Sequence, residues 1–138
     1  MLAQNFMSAA DLKLPGAEYQ ALITTLGMME RGEIRYVDVD IHDLVDDEVG
    51  AFSGLFNLAQ WAGNFSCGTV ACIGGTAELV GNLKPNQINN RCEYMKELDE
   101  LCYPKGEINY ENVTVEQAAK ALRSYLTTGK ANWTEALA

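Results

Sequence analysis

Nowhere does this sequence offer a run approaching the roughly eighteen apolar residues needed to cross a bilayer. Its opening, Met-Leu-Ala-Gln-Asn-Phe, also lacks the basic stretch and apolar segment of a secretory leader. A membrane partner is therefore not expected, and the chain reads as cytoplasmic. Basic residues are scarce: 10 Lys and Arg stand against 19 Asp and Glu, a formal charge of −9 with a pI near 4.5. That balance argues against a nucleic-acid binder whose affinity rests on neutralising phosphates. There is a single histidine, His42, and there are only three prolines. No internal repeat, low-complexity tract or interdomain linker is found. What remains is one domain over 1–138, in which 48% apolar residues are enough to fill one core.

Apolar periodicity suggests helices. Tyr19, Leu22, Ile23, Leu26 and Met29 form one stripe of a helix over roughly 16–31, with Pro15 at its start and Gly32 at its end. Residues 52–63, rich in Phe, Leu, Ala and Trp, read as a short buried helix. Ser66 offers an N-cap for a helix from Cys67 to Val80, whose Ala71, Gly74, Gly75 and Ala77 are small. Each interior glycine costs about 1 kcal/mol relative to alanine. Two in a row therefore imply close approach of another backbone, nearer than the usual 8–10 Å or so between helix axes.

A further helix runs from Pro85 and Asn86 to Cys102, stopping before Pro104. Thr114 to Gln117 is a capping box opening a helix that stops at Gly129, and Trp133 is expected to fold the tail back onto the body. Glu33 to Ala51 alternates only briefly, and a lone strand without a partner forms no sheet. The expected fold is thus mostly α: a compact bundle of about five helices around the Cys67–Val80 helix, with a short extended segment near 34–41.

Three kinds of chemistry can be weighed. Cys67, at the start of the expected helix, would have its thiolate stabilised by free backbone N–H groups, with Gly68 exposing an oxyanion-hole donor. His42, oriented by Asp40 or Asp43, completes a nameable Cys-His-Asp arrangement. The plainer reading makes the four cysteines (Cys67, Cys72, Cys92, Cys102) free thiols that pack as small hydrophobes in a reducing compartment. Zinc is disfavoured because four residues separate Cys67 from Cys72 and nine separate Cys92 from Cys102, wider than structural zinc pairs.

The acidic run Asp38, Asp40, Asp43, Asp46, Asp47, Glu48 fails as a calcium loop. Counted from Asp38, its sixth position is Asp43 rather than glycine and its twelfth is Val49 rather than glutamate. Gly74-Gly75 lacks the lysine of a phosphate loop. No metal or cofactor is expected. Asp38, Asp40 and Asp43, with Trp61 as an aromatic contact, are the candidate binding residues, and a basic protein is the candidate partner.

The string Cys-Gly-Thr-Val-Ala-Cys-Ile-Gly-Gly-Thr-Ala at Cys67–Ala77 resembles a family of small bacterial and phage-encoded proteins. These share a tryptophan a few residues ahead of Cys-Gly-Thr-x-x-Cys-[Ile/Leu]-x-Gly-x-Ala. Trp61 matches that tryptophan, and Gln117-Ala118-Ala119 and Leu126-Thr127-Thr128-Gly129 are also similar, so the resemblance spans Trp61 to Trp133. Many relatives carry tryptophan or histidine where Thr76 stands here. The resemblance implies a shared helical fold and a phage or mobile-element connection, and brings no activity with it. The leading expectation is a small cytoplasmic interaction protein acting through its acidic surface. The alternative is a hydrolase or transferase using Cys67 with His42.

Overall fold

The computed structural model describes residues 5–39, 42, 44–46, 51–65 and 67–138. A single turn, α1 (Ala9–Leu12), is capped by the Ser8 hydroxyl, which accepts from the Asp11 N–H at 3.0 Å. Helix α2 (Gly16–Glu30) follows Pro15 and buries Ala21, Leu22, Leu26 and Met29. Its bounds lie within a residue of those the apolar stripe predicts.

Beyond α2 the chain departs from the helical bundle. Among the described residues, five short strands, β1 (Arg35–Tyr36), β2 (Leu44–Asp46), β3 (Leu55–Phe56), β4 (Ala62–Phe65) and β5 (Gly68–Ala71), form one sheet in the order β1-β3-β5-β4-β2. β1, β3 and β5 run parallel, while β4 is antiparallel to both β5 and β2. The helices that follow are α3 (Ile73–Val80), α4 (Gln87–Arg91), α5 (Lys96–Cys102), α6 (Val115–Thr128) and α7 (Trp133–Ala136), with a 3-10 turn at Tyr110–Asn112.

The mostly α bundle of about five helices is therefore overturned, and the chain is α/β rather than all-α. Two segments carry the correction. Residues 52–63 hold β3 and the start of β4 instead of a buried helix. In β3, Leu55 joins Phe65 and Val70 in a small apolar cluster, whereas Phe56 belongs to the main core. That split is the two-sided burial of a strand, and over so short a run apolar spacing fits either element. The expected Cys67–Val80 helix begins only at Ile73, because Gly68, Thr69, Val70 and Ala71 are β5. Gly68 has φ +129°, which no helix contains, and Thr69 and Val70 are β-branched residues that suit a pleated sheet. The proposed N-cap Ser66 lies outside the described residues; the observed cap is Cys72.

The partner missing for a strand near 34–41 is β3, registered Arg35↔Leu55 and Tyr36↔Phe56. Reading 52–63 as a helix hides it. Buried Asn57 reinforces this edge: its side-chain amide donates to the Val37 carbonyl at 3.0 Å, and its Oδ1 accepts from the Ala59 N–H at 3.0 Å.

Helix α3 is nevertheless central. Every residue from Ile73 to Glu78 is buried, and α2 and α4 pack on it. The 85–102 pattern is two helices rather than one, since Met95 turns extended between them (φ −130°, ψ 102°). The capping box at α6 is formed as predicted: Thr114 Oγ1 accepts from Gln117 N at 3.1 Å and Gln117 Oε1 from Thr114 N at 3.0 Å. Gly129 ends α6 with φ +84°. Trp133 is buried and donates through Nε1 to the Glu100 carbonyl at 2.9 Å, closing the tail onto α5. Among the described residues no helix is long and apolar enough to cross a membrane.

Candidate functional site

The most organised polar cluster gathers where β4, β5 and α3 meet, around Trp61. The Trp61 carbonyl accepts from the Cys72 N–H at 3.4 Å and faces the Cys72 thiol at 3.8 Å. The same sulfur accepts from the Gly75 N–H at 3.4 Å, capping α3. A β-carbon at Gly75 would lie 1.5 Å from the Trp61 carbonyl oxygen, and one at Gly74 2.1 Å from the Trp61 ring. The close backbone approach expected from two adjacent glycines is therefore real, but the approaching group is the residue just before β4 and not a second helix.

Glu78, buried on α3, holds the other side of the indole. Its Oε1 accepts from Trp61 Nε1 and Asn86 N, both at 2.9 Å. Its Oε2 accepts from Ile88 N at 2.8 Å and Asn89 N at 3.1 Å. A carboxylate has about four lone-pair sites, and here all four are filled, three of them by backbone donors at the start of α4. Trp61 also stacks on Tyr103, with centroids 5.7 Å apart and planes inclined by 17°. The Tyr103 hydroxyl donates to Asn89 Oδ1 at 2.6 Å. A second buried carboxylate, Glu18 on α2, is held by the Arg91 guanidinium, whose Nη2 lies 2.9 Å from Oε2, and by Gln87 Nε2 at 3.0 Å.

This network is built to hold elements together. Glu78 has no acceptor site left for a substrate proton. Burial pushes the Cys72 thiol up to about 12, far from the range of a nucleophilic cysteine. The hydrogen bond with the neighbouring Cys92 thiol, and then burial, raise Cys102 well above the ordinary value. Among the described residues no group of three His, Cys, Asp or Glu is arranged to hold a metal ion. A broad open groove of about 730 Å³ lies between the 105–108 loop and α7, with Lys105 and Lys130 set against Glu100 and Glu107 and no single sign of charge.

The sequence-predicted site residues are scattered by comparison. Cys67 is exposed in the connection between β4 and β5, so no helix dipole acts on it; that part of the nucleophile argument is corrected by the fold. Of the four thiols, only Cys67 does not pack in the interior. His42 is exposed, and Asp38 is exposed just beyond β1. Asp40 and Asp43 lie outside the described residues. Trp61 is half-buried, and its indole N–H and one ring face are already engaged within the protein.

Glu78 and the Glu18–Arg91 pair escaped the sequence reading. One signal was present: Glu78 is the only charged residue between Glu48 and Lys84, isolated on an apolar helix, and such a carboxylate is buried only when paired. No known protein-family profile, curated protein or solved structure matches this chain.

Proposed function

We propose that this is a small interaction protein that binds a basic partner through the acidic segment 38–48. The observation that carries the reading is the charge distribution. Between Arg35 and Lys84 there is no lysine or arginine, and six of the seven acids in that stretch fall between Asp38 and Glu48. Asp38, the one of these whose side chain is described, is exposed beside an edge strand of the sheet. Uncompensated charge of one sign attracts a cationic surface and speeds encounter. The saturated buried carboxylates support a binding role over catalysis by the core. The resemblance of Cys67–Ala77 to phage-encoded proteins is compatible with a partner met during phage or mobile-element growth.

The test is titration of the chain with an oligolysine peptide at low and high salt, comparing two triple variants of equal charge change. Asp38→Asn with Asp40→Asn and Asp43→Asn should weaken binding strongly and flatten its salt dependence. Glu93→Gln with Glu97→Gln and Glu116→Gln should change both far less. Equal weakening by the two sets would reduce the interaction to net charge and overturn the reading. A second reading, a Cys67-nucleophile hydrolase or transferase with His42, has one observation in its favour, the exposure of Cys67. It predicts alkylation of Cys67 faster in the folded chain than in the unfolded one, and an equal or slower rate removes it.

A further inference from the structure

The interior thiols suggest chemistry that neither reading uses. Cys92 caps the C-terminal end of α4, and Cys102 is the last residue of α5. Both belong to the main apolar core. The Cys92 thiol lies within hydrogen-bonding reach of Cys102, and the hydroxyl of Tyr103, the residue after Cys102, donates at 2.6 Å to Asn89, one turn before Cys92. Cys92 also lines a small open cleft of about 270 Å³ with Asn89, Asp99 and Tyr103, whereas Cys102 is sealed behind it at 1% exposure. We propose that Cys92 and Cys102 form an oxidisable dithiol site, which closes to a disulfide joining the ends of α4 and α5 when a peroxide enters the cleft.

The chemistry balances with hydrogen peroxide as oxidant. Cys92 attacks one peroxide oxygen, the O–O bond breaks, a sulfenic acid forms on Cys92 and the first water leaves. Cys102 sulfur then attacks the sulfenyl sulfur, the S–O bond breaks, the S–S bond forms and a second water carries off the hydroxyl with the Cys102 proton. Two thiols are oxidised and one peroxide is reduced to two waters. Cys92 is assigned the first step because it alone of the two borders solvent space. Cys72 is excluded as the resolving thiol because its sulfur is committed to capping α3 and faces the Trp61 carbonyl. Placement at helix ends matters, since terminal residues can shift to meet the narrow geometry of a disulfide more readily than mid-helix residues.

The experiment uses the full chain carrying Cys67→Ser, which removes the exposed thiol. Folded protein, confirmed by circular dichroism, is treated with hydrogen peroxide, quenched, unfolded and alkylated. Mass spectrometry should show the loss of two hydrogens, a peptide pair joining Cys92 to Cys102, one alkylated cysteine at Cys72, and full reversal by dithiothreitol. Adding Cys102→Ala should abolish the mass loss and leave a sulfenic acid on Cys92 that dimedone traps. A bridge that includes Cys72, or oxidation of Cys92 that never proceeds to a bridge in the parent chain, would overturn the proposal. So would complete resistance of the three thiols. If Cys102→Ala does not fold, the bridge map of the parent chain decides alone.

Discussion

The carbonyl oxygen of Trp61 stands where Gly75 would carry its β-carbon, 1.5 Å from that position. Two stretches of chain meet here with no side chain between them, so the entry to β4 and the first turn of α3 are locked in one register. The tryptophan, the second cysteine and the glycine of the Cys67–Ala77 motif thus have a shared structural purpose. Cys72 caps the helix, Gly75 admits the carbonyl, and Trp61 supplies both the carbonyl and the ring that Glu78 and Tyr103 hold.

Gly75→Ala should therefore destabilise the fold by about 3 kcal/mol or more, because the obstruction is backbone and cannot rotate away. Gly16→Ala, at the first residue of α2 with open space around the new methyl, should instead stabilise by roughly 0.4–1 kcal/mol. Urea unfolding of the two variants beside the parent chain measures both, and similar midpoints for the two would contradict the close contact.

Removal of the Glu78 carboxylate leaves the Trp61 indole N–H and the Asn86, Ile88 and Asn89 amides without their acceptor. Each buried donor left unpaired costs about 1–3 kcal/mol. Glu78→Ala should thus cost at least ~3 kcal/mol, and Trp61→Phe, which frees only one acceptor site and keeps an aromatic ring against Tyr103, should cost less. The double variant should fall short of the sum, since the two share one bond. Additive losses in a double-mutant cycle would show that the bond contributes nothing.

In the folded chain a thiol reagent should label Cys67 fastest of the four cysteines. Cys67 is exposed, while Cys72, Cys92 and Cys102 are buried. Labelling of Cys72 and Cys102 should require unfolding and should follow the denaturant midpoint, with Cys92, which borders a cleft, reacting at a rate between theirs and that of Cys67. Peptide mapping that finds Cys72 labelled in native buffer would place the α3 cap at the surface.

Alkaline pH should unfold the protein in a defined window. Burial raises Cys72 from an ordinary value of 9.0 to about 12, the hydrogen bond with the Cys92 thiol together with burial raises Cys102, and burial raises Tyr103. A group whose folded-state value is raised keeps its proton in the native state after the unfolded chain has lost it, so its contribution is complete below pH 9 and declines as pH climbs from about 9 towards 12. For Cys72 the slope inside that window is about 1.4 kcal/mol per pH unit. Denaturant stability measured from pH 7 to 11 should be flat at first and then fall. An unchanged midpoint at pH 11 would mean that these thiols are solvated in the native state.

The sequence by itself determined whatever is decided within a few residues. The stripe from Tyr19 to Met29 defines α2, the Thr114–Gln117 box and Gly129 bound α6, and the paired glycines announce a close backbone approach. The excess of acid over base, and its concentration between Asp38 and Glu48, are likewise a matter of composition. Only the tertiary structure decided that Leu55–Phe56 and Gly68–Ala71 are strands. Pieces of two and four residues carry too little periodicity to declare themselves, and each is stabilised by hydrogen bonds to strands elsewhere in the chain. It also decided that Glu78 closes the indole and the start of α4 at once, because a carboxylate with four partners is recognisable only when the chain has brought those partners around it.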